Sequence, residues 1–391
     1  MPELAVDRSG QLSVPPEWLT RLGLTEGNRL VAELREGELS LYAAQPDARA
    51  AYLEVTTRCN LDCAICVRRV ATDPLGEMEE ETFRAALEGL QAFPDLERVT
   101  FGGFGEPLMH PRLPEMLERA ASSGWDLVLT TNGLWLDEAF ARLLVRLRLH
   151  TLVVSLDTVH IQAYARAAFD AGVEQVLSNL RRLREIGERE GYGPRIGIEF
   201  VLTRSNVHWL EHIPELASQV RASFVLLSNL LPHTPEAASE ILYDQLEPLR
   251  PPIGWAVSQG DFLLWGVVQT PRLKWGAHRQ CRFVQGRALV IGWDGGVSPC
   301  YALMHSYPYW IYGRPKRVSR LLFGNVRERP LADIWMDEAY VRFRARVRAF
   351  RFPSCVDCGM ACTYAEENTD CWGNDPSCAD CLYAQDIVRC P

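Results

Sequence analysis

The sequence predicts an α/β protein whose centre is a partial barrel of parallel strands, with a small β-rich domain before it and a cysteine-rich domain after it. Three observations lead to this prediction. Strand-like and helix-like segments alternate from Ala51 to about residue 230, turn-bounded apolar segments precede them, and nine of the twelve cysteines follow them. We therefore expect domains at residues 1–48, 49–254 and 255–391.

The N-terminal unit contains two turn signals between short apolar segments. Ser9-Gly10 is the first, and Glu36-Gly37 separates the apolar residues 30–34 from residues 39–42. Short apolar segments on both sides of a glycine-containing turn predict a β-hairpin. A short helical stretch is expected between the two turns, at residues 17–22, and residues 45–49 read as a linker.

The central region alternates between the two kinds of secondary structure. The predicted strands are residues 52–57, 98–101, 127–131, 151–156, 195–202 and 224–228. Amphipathic helices are predicted between them, at residues 79–92, 137–147 and 173–190 among others. Six such units predict a partial (β/α)6 barrel, whose active site would lie at the carboxyl ends of the strands.

Composition narrows the classes of partner. The formal net charge is -9, which disfavours general binding to nucleic acid or to an anionic membrane surface. No apolar run approaches the roughly 20 residues of a membrane span, and the first residues lack the pattern of a signal peptide. We therefore expect a cytoplasmic protein, in which clustered cysteines bind metal more often than they form disulfides.

The first strand leads into a compact cysteine motif. Cys59, Cys63 and Cys66 follow the spacing Cys-x3-Cys-x2-Cys. Three thiolates on one loop can hold three irons of a four-iron cluster and leave the fourth iron open, as a catalytic site requires. A zinc site is the main alternative, but residues 67–72 offer no fourth cysteine or histidine.

This motif, at the end of a strand, resembles that of the radical S-adenosylmethionine (SAM) superfamily over residues 51 to about 230. The resemblance implies a barrel of the radical SAM type and a [4Fe-4S] cluster whose open iron binds SAM. It also implies reductive cleavage of SAM to methionine and a 5′-deoxyadenosyl radical, which removes a hydrogen atom from the substrate. The cluster and SAM supply this chemistry, and the sequence identifies no catalytic acid or base beside them.

The second strand runs into Gly-Phe-Gly-Glu-Pro, which resembles the Gly-Gly-Glu-Pro element of that superfamily. Gly103 and Gly105 would permit close approach of SAM, and Glu106 would accept hydrogen bonds from its ammonium group. Ser155 and Asp157 face the same side, because residues two apart on a strand do so. They resemble the pair of residues that contacts the ribose of SAM in that superfamily. The Gly-Phe-Gly-Glu-Pro segment has a plainer alternative as an ordinary strand-end turn.

Three further residues are candidates for contacts with SAM through the same resemblance. Arg166 would pair with the carboxylate of SAM, unless it is simply a solvated helix arginine. Thr203 and Asn206 follow the fifth strand and would border the adenosine.

The C-terminal cysteines resemble the SPASM domain found behind many radical SAM barrels. Its opening Cys…Gly-x4-Cys matches Cys281, Gly295 and Cys300, whereas the later spacings depart from the family pattern. Nine cysteines are candidate ligands of one or two auxiliary [4Fe-4S] clusters: Cys281, Cys300, Cys355, Cys358, Cys362, Cys371, Cys378, Cys381 and Cys390. By analogy, Cys281, Cys300 and Cys371 would serve one cluster. Cys355, Cys358 and Cys362, with one of Cys378, Cys381 and Cys390, would serve another, and zinc is the alternative.

Several short sequence segments, among them residues 228–234 and 371–374, resemble segments of the radical SAM maturases of tungsten-cofactor oxidoreductases. Residues 7–15 and 24–28 resemble the AbrB-like swapped-hairpin family, which implies a homodimer formed through residues 1–48. Three functions follow: maturation of a tungsten-containing oxidoreductase or its cofactor, modification of a peptide, and redox-sensing regulation with DNA contact. The resemblance also implies flavodoxin or ferredoxin as the electron donor.

Overall fold

A computed structural model gives the fold. It describes residues 7–21, 23–35, 37–156, 166–243, 267–269, 278–311, 313–355, 358 and 366–389. The strands, numbered in chain order, are β1 (Arg29–Arg35), β2 (Glu38–Ala44), β3 (Ala50–Leu53), β4 (Arg98–Phe101), β5 (Asp126–Thr131), β6 (Thr151–Ser155), β7 (Arg195–Leu202), β8 (Phe224–Asn229), β9 (Val267–Gln269), β10 (Ala288–Ile291), β11 (Val297–Ser298), β12 (Tyr307–Ile311) and β13 (Arg314–Val318).

Ten α-helices lie among these strands in the described residues. They are α1 (Pro16–Arg21), α2 (Glu80–Leu90), α3 (Leu113–Ala121), α4 (Glu138–Arg146), α5 (Arg166–Glu190), α6 (Ile213–Gln219), α7 (Pro235–Ser239), α8 (Arg282–Gln285), α9 (Leu331–Trp335) and α10 (Glu338–Arg348). None of the helices that the structure describes has both the length and the apolar character that a bilayer crossing requires.

The predicted barrel is present. Strands β3 to β8 pair in chain order, and every pairing between them is parallel. Parallel strands joined by helices require both faces to be covered, so the strands read as nearly continuous apolar segments. The core forms where strand residues such as Leu53, Phe101 and Leu129 meet helix residues such as Phe83 and Met116, all of them buried.

The sheet extends beyond the six predicted strands on both sides. β9 pairs in parallel with β8, β10 pairs in parallel with β3, and β11 pairs antiparallel with β10. Residues assigned from sequence to the cysteine-rich domain therefore contribute three strands to the barrel sheet. Short apolar segments far along the chain, such as Ala288–Ile291, give no sequence signal of the strand with which they pair.

The first barrel strand is shorter than predicted. The ladder with β4 ends at Leu53. After it, the backbone N–H of Glu54 donates to the Ile291 carbonyl, and that of Thr57 donates to the Gly76 carbonyl. This departure separates the cysteine motif from the sheet and lets it spread over the barrel mouth. α5 also begins earlier than predicted, at Arg166.

The predicted N-terminal hairpin is also present. β1 and β2 pair antiparallel, with Leu34 opposite Leu39. One face of the hairpin packs on α10, where Val31 and Ala44 meet Val341. Arg342 donates to the carbonyl of Ala32 at 3.0 Å, which fixes the N-terminal unit to the C-terminal region.

Candidate functional site

The carboxyl ends of the barrel strands surround a cleft of about 290 Å³. Cys59, Cys63 and Cys66 all line it, as the sequence predicts. Cys63 is buried, and the other two thiols are half-buried. The loop turns back on itself because the Cys66 amide donates to the Cys63 carbonyl at 3.0 Å. The three thiols therefore face one cavity from one short loop.

The glycines after β4 make room for this loop. A Cβ on Gly105 would lie 2.3 Å from the Thr56 carbonyl oxygen and 2.5 Å from that of Arg58. A Cβ on Gly103, whose φ is +149°, would lie 2.5 Å from the Glu54 Cγ. These glycines are thus required by contact with the chain that carries the cysteines, and both line the cleft.

Glu106 is buried and already holds three hydrogen bonds. Its Oε1 accepts from Leu108 N at 3.0 Å and from Thr131 Oγ1 at 2.7 Å, and its Oε2 accepts from Asn132 N at 2.7 Å. Burial raises the pKa of this carboxyl, while the three donors oppose the rise. The side chain therefore joins the loops after β4 and β5, a role that sequence analysis did not predict.

Asn132 extends this connection to the cysteine loop. Its Nδ2 donates to Asn60 Oδ1 at 2.7 Å, next to Cys59. Burial also raises the pKa of the Cys59 thiol, and the nearby Glu106 carboxylate adds to the rise. A thiol held in this way becomes a good ligand only when a bound metal compensates its negative charge, which fits a cluster site.

Ser155 faces the cleft from β6, and its Oγ donates to Glu199 Oε2 on β7 at 3.0 Å. Glu199 also lines the cleft, yet sequence analysis missed it. The signal was present, because Glu199 is the one acidic residue in a strand that is otherwise apolar after Arg195. Asp157 lies outside the described residues, and nothing is described of the Arg166 side chain.

Thr203 and Asn206, which were predicted to border the adenosine, do not line the described cleft, and their contact with SAM stays a prediction. Both are buried but neither lines the cavity. Asn206 accepts from Thr203 N at 2.8 Å and donates to the Val201 carbonyl at 2.8 Å. Their polar groups shape the turn after β7, while Val201 itself reaches the cleft.

The C-terminal tail forms a wall of the cleft that sequence analysis did not predict. The backbone N of Asn229 donates to the Ile387 carbonyl at 3.2 Å, and its side-chain Nδ2 donates to the same oxygen at 3.0 Å. Arg389 N donates to Ser228 Oγ at 2.8 Å. On the other side of the tail, Gln280 N donates to the Ala384 carbonyl. Tyr383, Val388 and Arg389 line the cleft as a result.

A buried pair connects the barrel to the C-terminal region. Glu54 Oε2 lies 2.8 Å from His305 Nε2, and both side chains are almost fully buried. The other carboxylate oxygen of Glu54 accepts from Phe104 N at 2.9 Å, and the Phe104 ring packs on the His305 ring at 4.5 Å. Phe104 lies between Gly103 and Gly105, so the C-terminal region helps to position the glycine loop.

Four C-terminal cysteines share one small buried cavity. Cys281, Cys300, Cys378 and Cys381 line it. Burial raises the pKa of each thiol, and for Cys378 the neighbouring Cys381, Cys281 and Cys300 add to the rise. Four neighbouring cysteines match the full ligand set of a [4Fe-4S] cluster.

This grouping differs from the one expected by analogy, which placed Cys371 with Cys281 and Cys300. Cys371 is exposed. Burial raises the pKa of Cys355 to about 12, with smaller contributions from the neighbouring Asp380, Asp370 and Cys371. Cys358 is exposed as well, while Cys362 and Cys390 lie outside the described residues. Within the described ranges, no three His, Cys, Asp or Glu side chains form a group that could hold a single metal ion.

Comparison with known proteins agrees with this geometry. Residues 53–201 match the Radical SAM superfamily, and residues 281–359 match SPASM, described as an iron-sulfur cluster-binding domain. The chain is 35% identical over 347 residues to the tungsten-containing aldehyde ferredoxin oxidoreductase cofactor-modifying protein of Pyrococcus furiosus, covering 87% of this chain and 96% of that protein. The chain belongs to the radical SAM superfamily.

Two further proteins are similar at lower sequence identity. A PqqA peptide cyclase from Xanthomonas euvesicatoria is 27% identical over 315 residues, covering 76% of this chain and 77% of that protein. The solved structure of Streptococcus suis SuiB bound to S-adenosylmethionine is 17% identical, with a TM-score of 0.59 over 81% of this chain and 72% of that one. The last likeness shows the fold alone.

The predictions of fold class, enzyme class and cofactors are confirmed by these matches. This protein is a radical SAM enzyme that uses SAM with a [4Fe-4S] cluster, and its SPASM domain carries auxiliary iron–sulfur clusters. The enzyme class removes the hypothesis of a non-catalytic regulator.

Proposed function

We propose that this radical SAM enzyme matures a tungsten-containing oxidoreductase or its cofactor. The observation that carries the proposal is the 35% identity to a cofactor-modifying protein of that name, which extends over 87% of this chain and 96% of the relative. Likeness over this share of both proteins includes most of the barrel and much of the cysteine-rich region. It is therefore a stronger guide to substrate than likeness in the barrel alone.

Cys59, Cys63 and Cys66 are the proposed ligands of the SAM cluster. They are the three thiols that line the cleft, and their loop is held by Gly105, Glu106 and Asn132. When bound, the cluster and SAM supply a one-electron cleavage that yields a carbon-centred radical. The residues of the cleft bind and orient SAM and the substrate and exclude water.

Ser155 and Glu199 are the proposed polar contacts of SAM beyond the cysteine loop. Both face the cleft, and the hydroxyl and carboxylate lie within hydrogen-bonding distance of one another, so they could bind sugar hydroxyls together. Asp157 and Arg166 remain predictions based on resemblance. Glu106 is assigned a positioning role, because its carboxylate already accepts three hydrogen bonds from the protein.

The first test is SAM cleavage. The protein would be reconstituted anaerobically with iron and sulfide, treated with dithionite and SAM, and assayed for 5′-deoxyadenosine. Replacing Cys59, Cys63 and Cys66 by Ala should abolish the product and remove about four irons per chain, while the auxiliary iron stays bound. Product formation by this triple variant would show that the cluster is held elsewhere.

The second test concerns the substrate. A tungsten-containing aldehyde ferredoxin oxidoreductase would be produced with the wild-type enzyme, with the triple cysteine variant, or alone. We expect active oxidoreductase with the wild-type enzyme only, and a mass change in its extracted cofactor or in its polypeptide. Equal activity in all three preparations would contradict the maturation proposal and leave the SAM-cleavage result unaffected.

Peptide modification is the second candidate function. It is favoured by the 27% identity to a PqqA peptide cyclase, which also extends over both the barrel and the C-terminal region. Mass spectrometry decides between the two candidates. A mass change confined to a small peptide encoded near the gene would favour this alternative, whereas a change in the extracted tungsten cofactor would exclude it.

Partners and compartment follow from the chemistry. Reduced clusters and twelve cysteines suit the cytoplasm, where thiols stay reduced. A flavodoxin or ferredoxin is the proposed electron donor, and replacing dithionite by either reduced protein in the cleavage assay tests that proposal.

A further inference from the structure

Lys316 is unusual for this chain. It is one of two lysines in a sequence that otherwise uses arginine for its cations. It lies on β13 with its side chain almost fully buried, and its Nζ is 2.9 Å from Asp380 Oδ2, also almost fully buried. A buried ion pair costs desolvation energy that it does not always recover, so its presence calls for an explanation beyond stability.

The pair lies among the cysteines. Asp380 is in the short segment between Cys378 and Cys381, two of the four cysteines that share one cavity. Tyr309, opposite Lys316 in the β12–β13 ladder, packs in the same apolar cluster against which Cys378 and Cys355 lie. Both cysteine groups therefore adjoin the pair.

The pKa of the Cys355 thiol also depends on both members of the Lys316–Asp380 pair. Burial and the Asp380 carboxylate together raise the pKa of this thiol to about 12, and Lys316 opposes the rise. Asp380 also adds to the rise in the pKa of Tyr309, which burial places well above its usual range. Lys316 and Asp380 thus shift the pKa of Cys355 in opposite directions, in a buried region where water screens charges weakly.

We propose that Lys316 and Asp380 set the reduction potentials of the auxiliary clusters, with Lys316 raising the potentials and Asp380 lowering them. This inference rests on the proposed ligation by the C-terminal cysteines. One-electron reduction adds one negative charge to a cluster and neither forms nor breaks a bond. The reduced form is therefore stabilised by a nearby cation and destabilised by a nearby anion, since net charge helps to set cluster potentials.

The choice of lysine supports this role. An ammonium is a compact point charge, whereas the planar guanidinium of arginine delivers its charge through a broad fork of donors. On the same strand Arg317 is exposed, because neighbouring strand residues face opposite sides. The chain thus places an arginine in solvent and a lysine in the buried space beside the cysteines.

The test measures potentials in the reconstituted full-length protein. Auxiliary-cluster potentials would be determined by EPR-monitored redox titration. Lys316→Met should shift them to more negative values and Asp380→Asn to more positive values. The double variant should return close to the wild type, because both charges are then absent.

Arg317→Met is the matched control. Arg317 is next to Lys316 in the sequence but is exposed to solvent. Removing its positive charge should leave the potentials unchanged, because solvent and salt screen it. A shift as large as that of Lys316→Met would mean that the buried position has no special effect, and it would overturn the proposal.

Iron content separates the possible failures. Single variants that bind wild-type iron but shift both potentials in the same direction, or not at all, would refute tuning by charge. Loss of auxiliary iron in the single and double variants alike would assign the pair a structural role only, which also overturns the proposal. Wild-type protein without auxiliary-cluster signals would instead refute the cysteine ligation on which the inference rests.

Discussion

Individual buried polar residues hold the loops at the barrel mouth. Glu106 joins the loops after β4 and β5, and Glu54 joins the glycine loop to His305 of the C-terminal region. A buried carboxylate is costly unless several donors satisfy it. Because each carboxylate bonds to two separate segments, it fixes their relative positions, and the cysteine loop rests on the result.

Gly105 gives a direct test of this packing. Gly105→Ala would place a methyl group 2.3 Å from the Thr56 carbonyl oxygen, and backbone cannot move away as a flexible side chain can. We expect a loss of about 1–3 kcal/mol in stability and weaker retention of the SAM cluster. Thermal unfolding and iron counting of the purified variant provide the measurement.

Gly193→Ala is the control for that change. The nearest atoms to a Cβ at Gly193 are 3.8 Å away, which is an ordinary contact. This variant should keep the wild-type unfolding midpoint and iron content. If Gly105→Ala behaves in the same way, the close approach of the two loops is not required for cluster retention.

His233 predicts a pH dependence of stability. It lines the cleft, and burial lowers its pKa from 6.5 to about 4, with only the Pro308 carbonyl opposing the shift. Between these two values the unfolded chain binds a proton that the folded chain does not. Stability should therefore fall as the pH is lowered through this window, by up to about 1.4 kcal/mol per pH unit.

The variant His233→Gln isolates this contribution. It keeps a polar side chain but removes the titration, so its stability should change less than that of the wild type between neutral and acidic pH. The unfolding midpoint of both proteins, measured anaerobically across the window, gives the comparison. Parallel pH profiles for the two proteins would rule out His233 as the cause.

At the scale of elements, the N-terminal hairpin has one covered face and one bare face. The cross-strand pairs Leu30–Ala43, Ala32–Leu41 and Leu34–Leu39 share the bare face, and every residue in them is apolar. Leu34 is 82% exposed and Leu39 is 55% exposed. Contiguous exposed apolar surface of this kind commonly marks an interface, which agrees with the expected homodimer through residues 1–48.

Charging this face tests the dimer. The variant Leu34→Glu/Leu41→Glu should convert a dimer to a monomer, because burying each leucine contributes about 1.5–3 kcal/mol. Light scattering after size-exclusion chromatography measures the mass. Leu75→Glu, at an exposed leucine outside the hairpin, is the control and should leave the mass unchanged. A wild-type protein that is monomeric at all concentrations would contradict the prediction.

At the scale of the whole molecule, the cysteines divide into groups that chain order does not indicate. Cys281 and Cys300 meet Cys378 and Cys381 in one cavity, which neither Cys355 nor Cys371 lines. Two ligands of one cluster act as a unit, so their removal should be non-additive. Cys300→Ser/Cys378→Ser should therefore lose no more iron than either single variant, about four per chain.

A second pair completes the cysteine test. Cys300→Ser/Cys355→Ser should lose about eight irons per chain, since the two residues are assigned to different clusters. Iron counting and EPR of the reduced proteins distinguish the two double variants. Equal losses from both would mean that Cys300 and Cys355 belong to one cluster.

The sequence alone determined much of this protein. Periodicity placed the six central strands to within a few residues, because buried parallel strands are short apolar segments bounded by turns. Cysteine spacing predicted the iron–sulfur chemistry, because three ligands on one loop are a local property. The hairpin was equally local, and its turn and strand pattern lay within about fifteen residues.

Only the tertiary structure decided what depends on distant parts of the chain meeting. The placement of Cys378 beside Cys281, the tail against β8, the Glu54–His305 pair and the Lys316–Asp380 pair join residues 64 to 251 positions apart. Spacing along the chain carries no information about such contacts. Thr203 and Asn206 show the same limit, since a turn can use its polar groups internally or offer them to a cleft, and only the fold determines which.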